Sequence, residues 1–231
     1  MSIFAISDLH LSFHKPKSMD IFGEAWKDHH LKVAANWDRM VSGDDVVLVV
    51  GDLSWAVRFT EAAPDIAFLA ERPGRKILIR GNHDYWWRRE ATNRLNSLLP
   101  EGVELLQGHA VTIGDCAITG TRGWRQEEEE NEAGDEKVLA RELRLLERGC
   151  LEMLQDASRR IAAIHYPPFD TSLRPNDFDA LARRHGVDTI VYGHIHGGLS
   201  LNGMHDGVQY HLVSVDHTGF APVLITWNTS P

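Results

Sequence analysis

Val46-Val47-Leu48-Val49-Val50-Gly51-Asp52 is an apolar, β-branched run that stops on a glycine and a carboxylate. A run of this length without polar alternation suits a strand buried on both faces. The glycine lets the chain turn sharply off the strand. Asp52 is therefore expected at a strand's C-terminal end, the usual ligand crevice of open α/β sheets. The same pattern recurs along the chain. Ile3–Ile6 leads into Ser7-Asp8-Leu9-His10, and Ile77–Ile79 leads into Gly81-Asn82-His83-Asp84. Ile161–Ile164 leads into His165, which Tyr166-Pro167-Pro168 follows, and Thr189–Tyr192 leads into Gly193-His194-Ile195-His196. The prolines end their strand and stiffen the segment that carries His165.

The remaining strands are expected at Ala110–Ile113, Cys116–Gly120, Gln209–Val215 and Val223–Trp227, with the third strand spanning Lys76–Arg80. Helical spacing joins Trp26, His30, Val33, Trp37 and Met40, and more cleanly Leu139, Leu143, Leu146, Cys150 and Met153. Asn176 is placed to cap a helix carrying Phe178, Leu181 and Ala182, which Gly186 would end. Strand–helix alternation in the first hundred residues predicts βαβ units. Strands dominate after Thr189, which predicts a second sheet or an antiparallel extension. No repeat or Gly/Ser/Pro-rich linker interrupts the sequence, so residues 1–231 read as one domain.

Composition narrows the function. The chain carries a formal net charge of −9 and clusters no basic tract, which argues against nucleic acid as a partner. No run of eighteen apolar residues is present, so no membrane span is expected. The opening residues read as a strand, with no basic start of the kind that marks a signal peptide. Two cysteines, Cys116 and Cys150, cannot build a disulfide framework or a four-thiolate zinc site, and they fit reduced thiols in the cytoplasm. The acids Glu127–Glu130, Glu132, Asp135 and Glu136 read as a solvated loop entering a helix N-terminus, where they favour the dipole. The unusual count is thirteen histidines, and their placement decides the reading.

Residues two apart in extended chain project the same way, so Asp8 and His10, or His194 and His196, can face one ion together. Each motif alone is weak. Their order is not: Asp-x-His, Gly-Asp, Gly-Asn-His-Asp, His and Gly-His-x-His, from Asp8 to His196, resembles the calcineurin-like metallophosphoesterases. The resemblance implies a four-layer α/β/β/α sandwich of two packed sheets with two metal ions at the strand ends. It implies that Asp8, His10 and His196 bind one ion, that Asn82, His165 and His194 bind the other, and that Asp52 bridges both. His83 would stabilise the transition state or protonate the leaving oxygen, with Asp84 orienting it through its other ring nitrogen.

The chemistry is coherent without the family. A phosphate ester repels hydroxide, and two ions roughly 3.5–4 Å apart can both neutralise phosphoryl oxygens and acidify a bridging water for in-line attack. Oxygen and imidazole donors without thiolate favour Mn²⁺, Fe or Zn²⁺ over a structural zinc; the oxygen content, together with what the resemblance implies, puts Mn²⁺ first. Tyr85, Trp86, Trp87 and Arg88 could line the mouth of the site, but a helix start packing its aromatics on the sheet is the favoured explanation. Arg122 and Trp124, after another strand, could meet a substrate phosphate.

The start Asp8-Leu9-His10-Leu11 is similar to that of the UDP-diacylglucosamine pyrophosphatases, but that group carries arginine where His83 stands. The Gly-Asp-x-x-Asp-Arg extension of the Ser/Thr protein phosphatases is absent from Gly51–Ala56. Gly-Asn-His-Asp-Tyr-Trp-Trp looks most like small bacterial-type phosphohydrolases. The expected activity is hydrolysis of a small phosphodiester or nucleotide-like ester. A phosphomonoesterase, a nuclease and a non-catalytic scaffold on the same fold are the alternatives. A scaffold need not keep His83, Asp84 and all seven proposed ligands, and this chain keeps them.

Overall fold

The computed structural model describes residues 1–87, 91–124, 135–154 and 156–227. Five strands form the first sheet: β1 (Ser2–Ile6), β2 (Val46–Val50), β3 (Arg75–Ile79), β4 (Val103–Leu105) and β11 (Val223–Trp227). Their order is β11-β1-β2-β3-β4, parallel throughout except for β11 on β1. The second sheet holds β5 (Ala110–Ile113), β6 (Cys116–Thr121), β7 (Arg159–Ile164), β8 (Thr189–Tyr192), β9 (Gly203–His205) and β10 (Val208–Leu212). Its order is β5-β6-β7-β8-β10-β9, with a parallel centre and antiparallel edges.

Three apolar cores fix the layering. Ile3, Ala5, Leu48, Val50, Ile77 and Ile79 of the first sheet pack against Ile118, Ile161, Ala163 and Val191 of the second. The alternate residues Phe4, Ile6, Val47, Val49 and Leu78 pack instead on Val33 and Trp37 of α1 (His29–Met40) and Ile66 and Leu69 of α2 (Phe59–Ala70). On the far side, Ala162, Ile164, Ile190 and Tyr192 meet two further helices. These are α4 (Asp135–Glu152), through Leu146 and Cys150, and α5 (Asp177–Arg184), through Phe178 and Leu181. Side chains alternate across a strand, so both faces of both sheets are covered. The result is the expected α/β/β/α sandwich.

Asn176 caps α5 as expected, its side-chain oxygen accepting from the N–H groups of Phe178 and Asp179. Helix α2 was not anticipated: Ala62, Ile66 and Leu69 keep helical spacing, but Pro64 inside the run reads as a break. The edge strands β4 and β9 have three residues each, too few to show a period. Tyr85 and Trp86 form a turn, and helix α3 runs from Thr92 to Asn96. Trp86 and Trp87 are buried, so packing accounts for them, while Arg88 lies outside the described residues. Glu127–Glu130 and Glu132 also lie outside; Asp135 and Glu136 open α4 as expected. Cys116 and Cys150 are free and buried, and burial pushes both thiols up to about 11, away from nucleophilic use. Among the described residues no helix is long and apolar enough to cross a membrane.

Candidate dinuclear metal centre

The parallel strands β1, β2, β3, β7, β8 and β10 all point their C-terminal ends toward one crevice, and the motif residues follow directly. The loops are zipped together by main-chain bonds: Asp8 N–H donates to Gly51 O at 3.0 Å and His10 N–H to Asp52 O at 3.0 Å. Four of the proposed ligands, Asp8, His10, Asp52 and His194, have positive φ (60°, 47°, 53° and 71°). Each such residue costs about 1 kcal/mol or more, strain that concentrates where function demands it. Close approach also dictates glycine. A Cβ on Gly51 would collide with the His165 ring, and one on Gly81 with the Asp52 carboxylate.

The side chains form two donor groups. In the first, the Nε2 atoms of His10 and His196 face each other at 3.3 Å, with Asp8 Oδ1 3.6 Å from His196 Nε2. In the second, Asn82 Oδ1 lies 2.8 Å from His165 Nε2 and 2.9 Å from His194 Nδ1. Asp52 Oδ2 lies between the groups, 3.5 Å from His165 Nε2 and 3.9 Å from His10 Nε2. Asp8 takes part on both sides, since its carboxylate also falls within 4.8 Å of donor atoms of Asp52 and His165. Its Oδ2 is held by Ser7 Oγ at 2.5 Å, Ser214 Oγ at 2.9 Å and His194 N–H at 3.0 Å.

These residues fit a pair of cations. Asp8 Oδ1 is buried with no hydrogen-bond partner among the described residues, a costly state for a carboxylate oxygen. His165 Nδ1 lies 2.9 Å from Val50 O; donation there leaves Nε2 as a lone pair facing a second lone pair on Asn82 Oδ1. A cation resolves both conflicts. The electrostatics agree. Burial pushes His10 and His194 down to about 3, keeping their rings neutral as ligands must be. Burial, with the charges of Asp8 and Asp84, pushes Asp52 up to about 7 although His165 opposes it, and bound cations would offset that repulsion. At Asp8 burial raises the pKa, but His196, His165 and His10 outweigh it and hold the carboxyl below its usual range. His196 lies opposite: burial lowers it, yet Asp216 and Asp8 raise it to about 10.

Asp216 was not anticipated as part of the site. Its Oδ1 sits 3.1 Å from His196 Nδ1, the outer hydrogen bond that orients a ligating imidazole. Replacing Asp216 with Asn is expected to weaken metal affinity about 10–100-fold with the fold intact, measured by titrating the metal-free protein. Unchanged affinity would remove Asp216 from the site.

His83 is placed at the rim. Its Nε2 is 4.0 Å from Asp52 Oδ2, its ring centroid 4.2 Å from that of Trp55, and Tyr85 OH is 3.4 Å from its Nδ1. Burial, then His165 and Lys17, lowers it to about 4. The expectation that Asp84 orients His83 is corrected by the structure. Asp84 is buried and its carboxylate accepts five N–H groups, none from His83. Tyr85 is the polar group beside the ring. Arg122 is also buried, its guanidinium 3.9 Å from Glu142 Oε1 and 4.4 Å from the Trp124 ring centroid, and Trp124 packs on Tyr166. Those neighbours explain both positions without a substrate.

The family model for calcineurin-like phosphoesterases matches residues 1–198. The chain belongs to that family. Two curated relatives are the gene 66 proteins of the Mycobacterium phages D29 and L5, 41% identical over 85 residues and 33% over 78. Those matches take in 36% and 34% of this chain, and the chain spans only 40% and 37% of those relatives. A phosphopantetheinyl hydrolase from Mycobacterium tuberculosis has a similar fold, with a TM-score of 0.62, 19% identity and coverage of 100% of this chain and 98% of that one. A protein of unknown function from Aquifex aeolicus is similar at a TM-score of 0.52 and 15% identity, covering 96% and 94%.

Proposed function

We propose that this phosphoesterase hydrolyses small phosphate esters, with diesters or nucleotide-like compounds favoured and Mn²⁺ as the working metal. The observation that carries the reading is the Asp52 carboxylate placed between two convergent donor groups. In this reading Asp8, His10 and His196 hold one ion, Asn82, His165 and His194 the other, and Asp52 spans both. When bound, the two cations supply charge neutralisation for the phosphoryl oxygens and acidify water. Asp216 and the Val50 carbonyl hold the His196 and His165 rings in register. His83, at the open edge, stabilises charge on the leaving oxygen or protonates it, and Tyr85 steadies its far nitrogen. Tyr85 is exposed enough to reach substrate, whereas Arg122 is buried against Glu142 and Trp124. The unbroken sheet cores support a single domain, and the two reduced thiols support a cytoplasmic setting.

Replacing His83 with Ala is expected to leave both metals in place and slow turnover roughly a hundredfold or more. Metal content and steady-state rates with several leaving groups check this; an unchanged rate would release His83 from the role. The substrate is sought by loading the protein with Mn²⁺ and screening paired model mono- and diesters, then nucleotides and phosphopantetheinyl compounds. Oligonucleotide binding at low salt tests the nuclease alternative, and no binding is expected.

A further inference from the structure

A chamber of about 240 Å³ opens directly onto the proposed centre, lined by Met19, Phe22, Trp26, Trp55, His83 and Asp216, with His10 and His196 at its floor. Its walls are continuous with the donor imidazoles. The Trp55 ring stacks on His10 at 4.9 Å, and Trp26 lies 6.2 Å from His10 and 5.8 Å from His196. Met19 and Trp26 are buried, each 4% exposed, so this wall is built into the core. Phe22, on the 3-10 turn Asp20–Phe22, lines the chamber yet is 62% exposed, an apolar face that gains by being covered. The charge of the lining is equally informative. It contains no lysine or arginine and one carboxylate, Asp216. A second phosphate would find no lysine or arginine in that lining to pair with. The basic side chains Lys15, Lys17 and Arg58 line a separate cleft of about 550 Å³, with Trp55 common to both.

We propose that this chamber is the subsite for the alcohol part of the ester, and that it selects an uncharged, apolar or aromatic leaving group small enough for a space below that of drug-sized ligands. The chamber includes His83, so a group seated in it presents its ester oxygen beside that imidazole. This inference rests on the phosphoesterase reading of the same centre and adds the identity of the group expelled. Exclusion of water by Met19, Trp26 and Trp55 gives an apolar group its affinity, while an anionic group would lose hydration there without a lysine or arginine to replace it.

Inert phosphonates test it on the Mn²⁺-loaded full chain by calorimetric titration. Benzylphosphonate is expected to bind at least tenfold more tightly than methylphosphonate, and phosphonoacetate no more tightly than methylphosphonate. Phe22→Ala is expected to reduce the benzyl-to-methyl ratio below threefold, and Ile21→Ala, on the same turn but outside the lining, to leave it unchanged. Equal affinities in the unaltered chain, or a ratio insensitive to Phe22→Ala, would overturn the subsite while leaving the phosphoesterase reading intact. Tightest binding of phosphonoacetate would move the substrate's second group to the basic cleft and overturn it likewise. Failure of all three phosphonates to bind would remove the phosphoesterase reading and this inference together.

Discussion

Replacing Asp52 with Asn is expected to abolish turnover and metal occupancy together, while the metal-free protein keeps its fold. The argument is geometric. Asp52 Oδ1 accepts the His83 N–H at 2.8 Å, so an asparagine would keep its single oxygen there. Its NH₂ group would then occupy the place of Oδ2, between His10 Nε2 and His165 Nε2. A donor with partial positive charge repels cations where a carboxylate had joined them. The metal-free state has no such need. Burial and the neighbouring Asp8 and Asp84 already disfavour charge on Asp52, so a neutral amide is tolerated. A ligand at a hundred times its dissociation constant stabilises the native state by about 2.7 kcal/mol. Mn²⁺ should therefore raise the melting temperature of the unaltered protein and leave that of Asp52→Asn unmoved. Full turnover with two bound metals in the variant would end the bridging assignment.

Much of the site is legible in the sequence because its ligands ride on the ends of buried strands. An unalternating apolar run closed by glycine needs no knowledge of distant contacts, and β2 begins and ends as expected from that signal alone. The strands β1, β3 and β10 shift by a residue or more at their ends, where the chain continues extended into the loops. What escapes is what depends on a partner far away. Asp216 follows an apolar residue with no glycine mark, and its relevance exists only because His196 lies twenty positions earlier and folds back onto it. Trp26 reads only as part of a helical row and Trp55 carries no signal of its own until the structure sets their rings against His10. His217 stands next to Asp216 in the chain, yet its Nε2 lies against Asn202 Nδ2 at 3.3 Å. Asp84 misleads for a different reason. Adjacency to His83 suggests a partnership, but neighbouring residues in a turn project apart, and only coordinates reveal which loop each one serves.

Replacing Asp84 with Ala is expected to destabilise the metal-free protein by roughly 3–5 kcal/mol, the range for removing one partner from a buried charged contact. Asp84 Oδ2 accepts from Gly81 N at 2.8 Å and Asp52 N at 2.9 Å; Oδ1 accepts from Trp86 Nε1 at 3.0 Å, Leu53 N at 3.1 Å and Ser54 N at 3.2 Å. One carboxylate thus ties the loop after β2 to the loop after β3, the two segments that present Asp52 and Asn82. Alanine would leave these donors without it inside the protein, and each orphaned donor costs about 1–3 kcal/mol. Part of that loss is offset, because desolvation raises the Asp84 pKa and its charge is itself costly to bury. Asparagine is not a rescue, since its NH₂ would face at least two of the same N–H groups. Urea unfolding of the metal-free protein separates this effect from metal loss, and both variants should lower the midpoint. A loss under about 1 kcal/mol would mean that the loops hold without the carboxylate. The double variant with His83→Ala would then decide the matter: strongly non-additive rates would return Asp84 to the catalytic pair, and additive ones would leave it no part in either role.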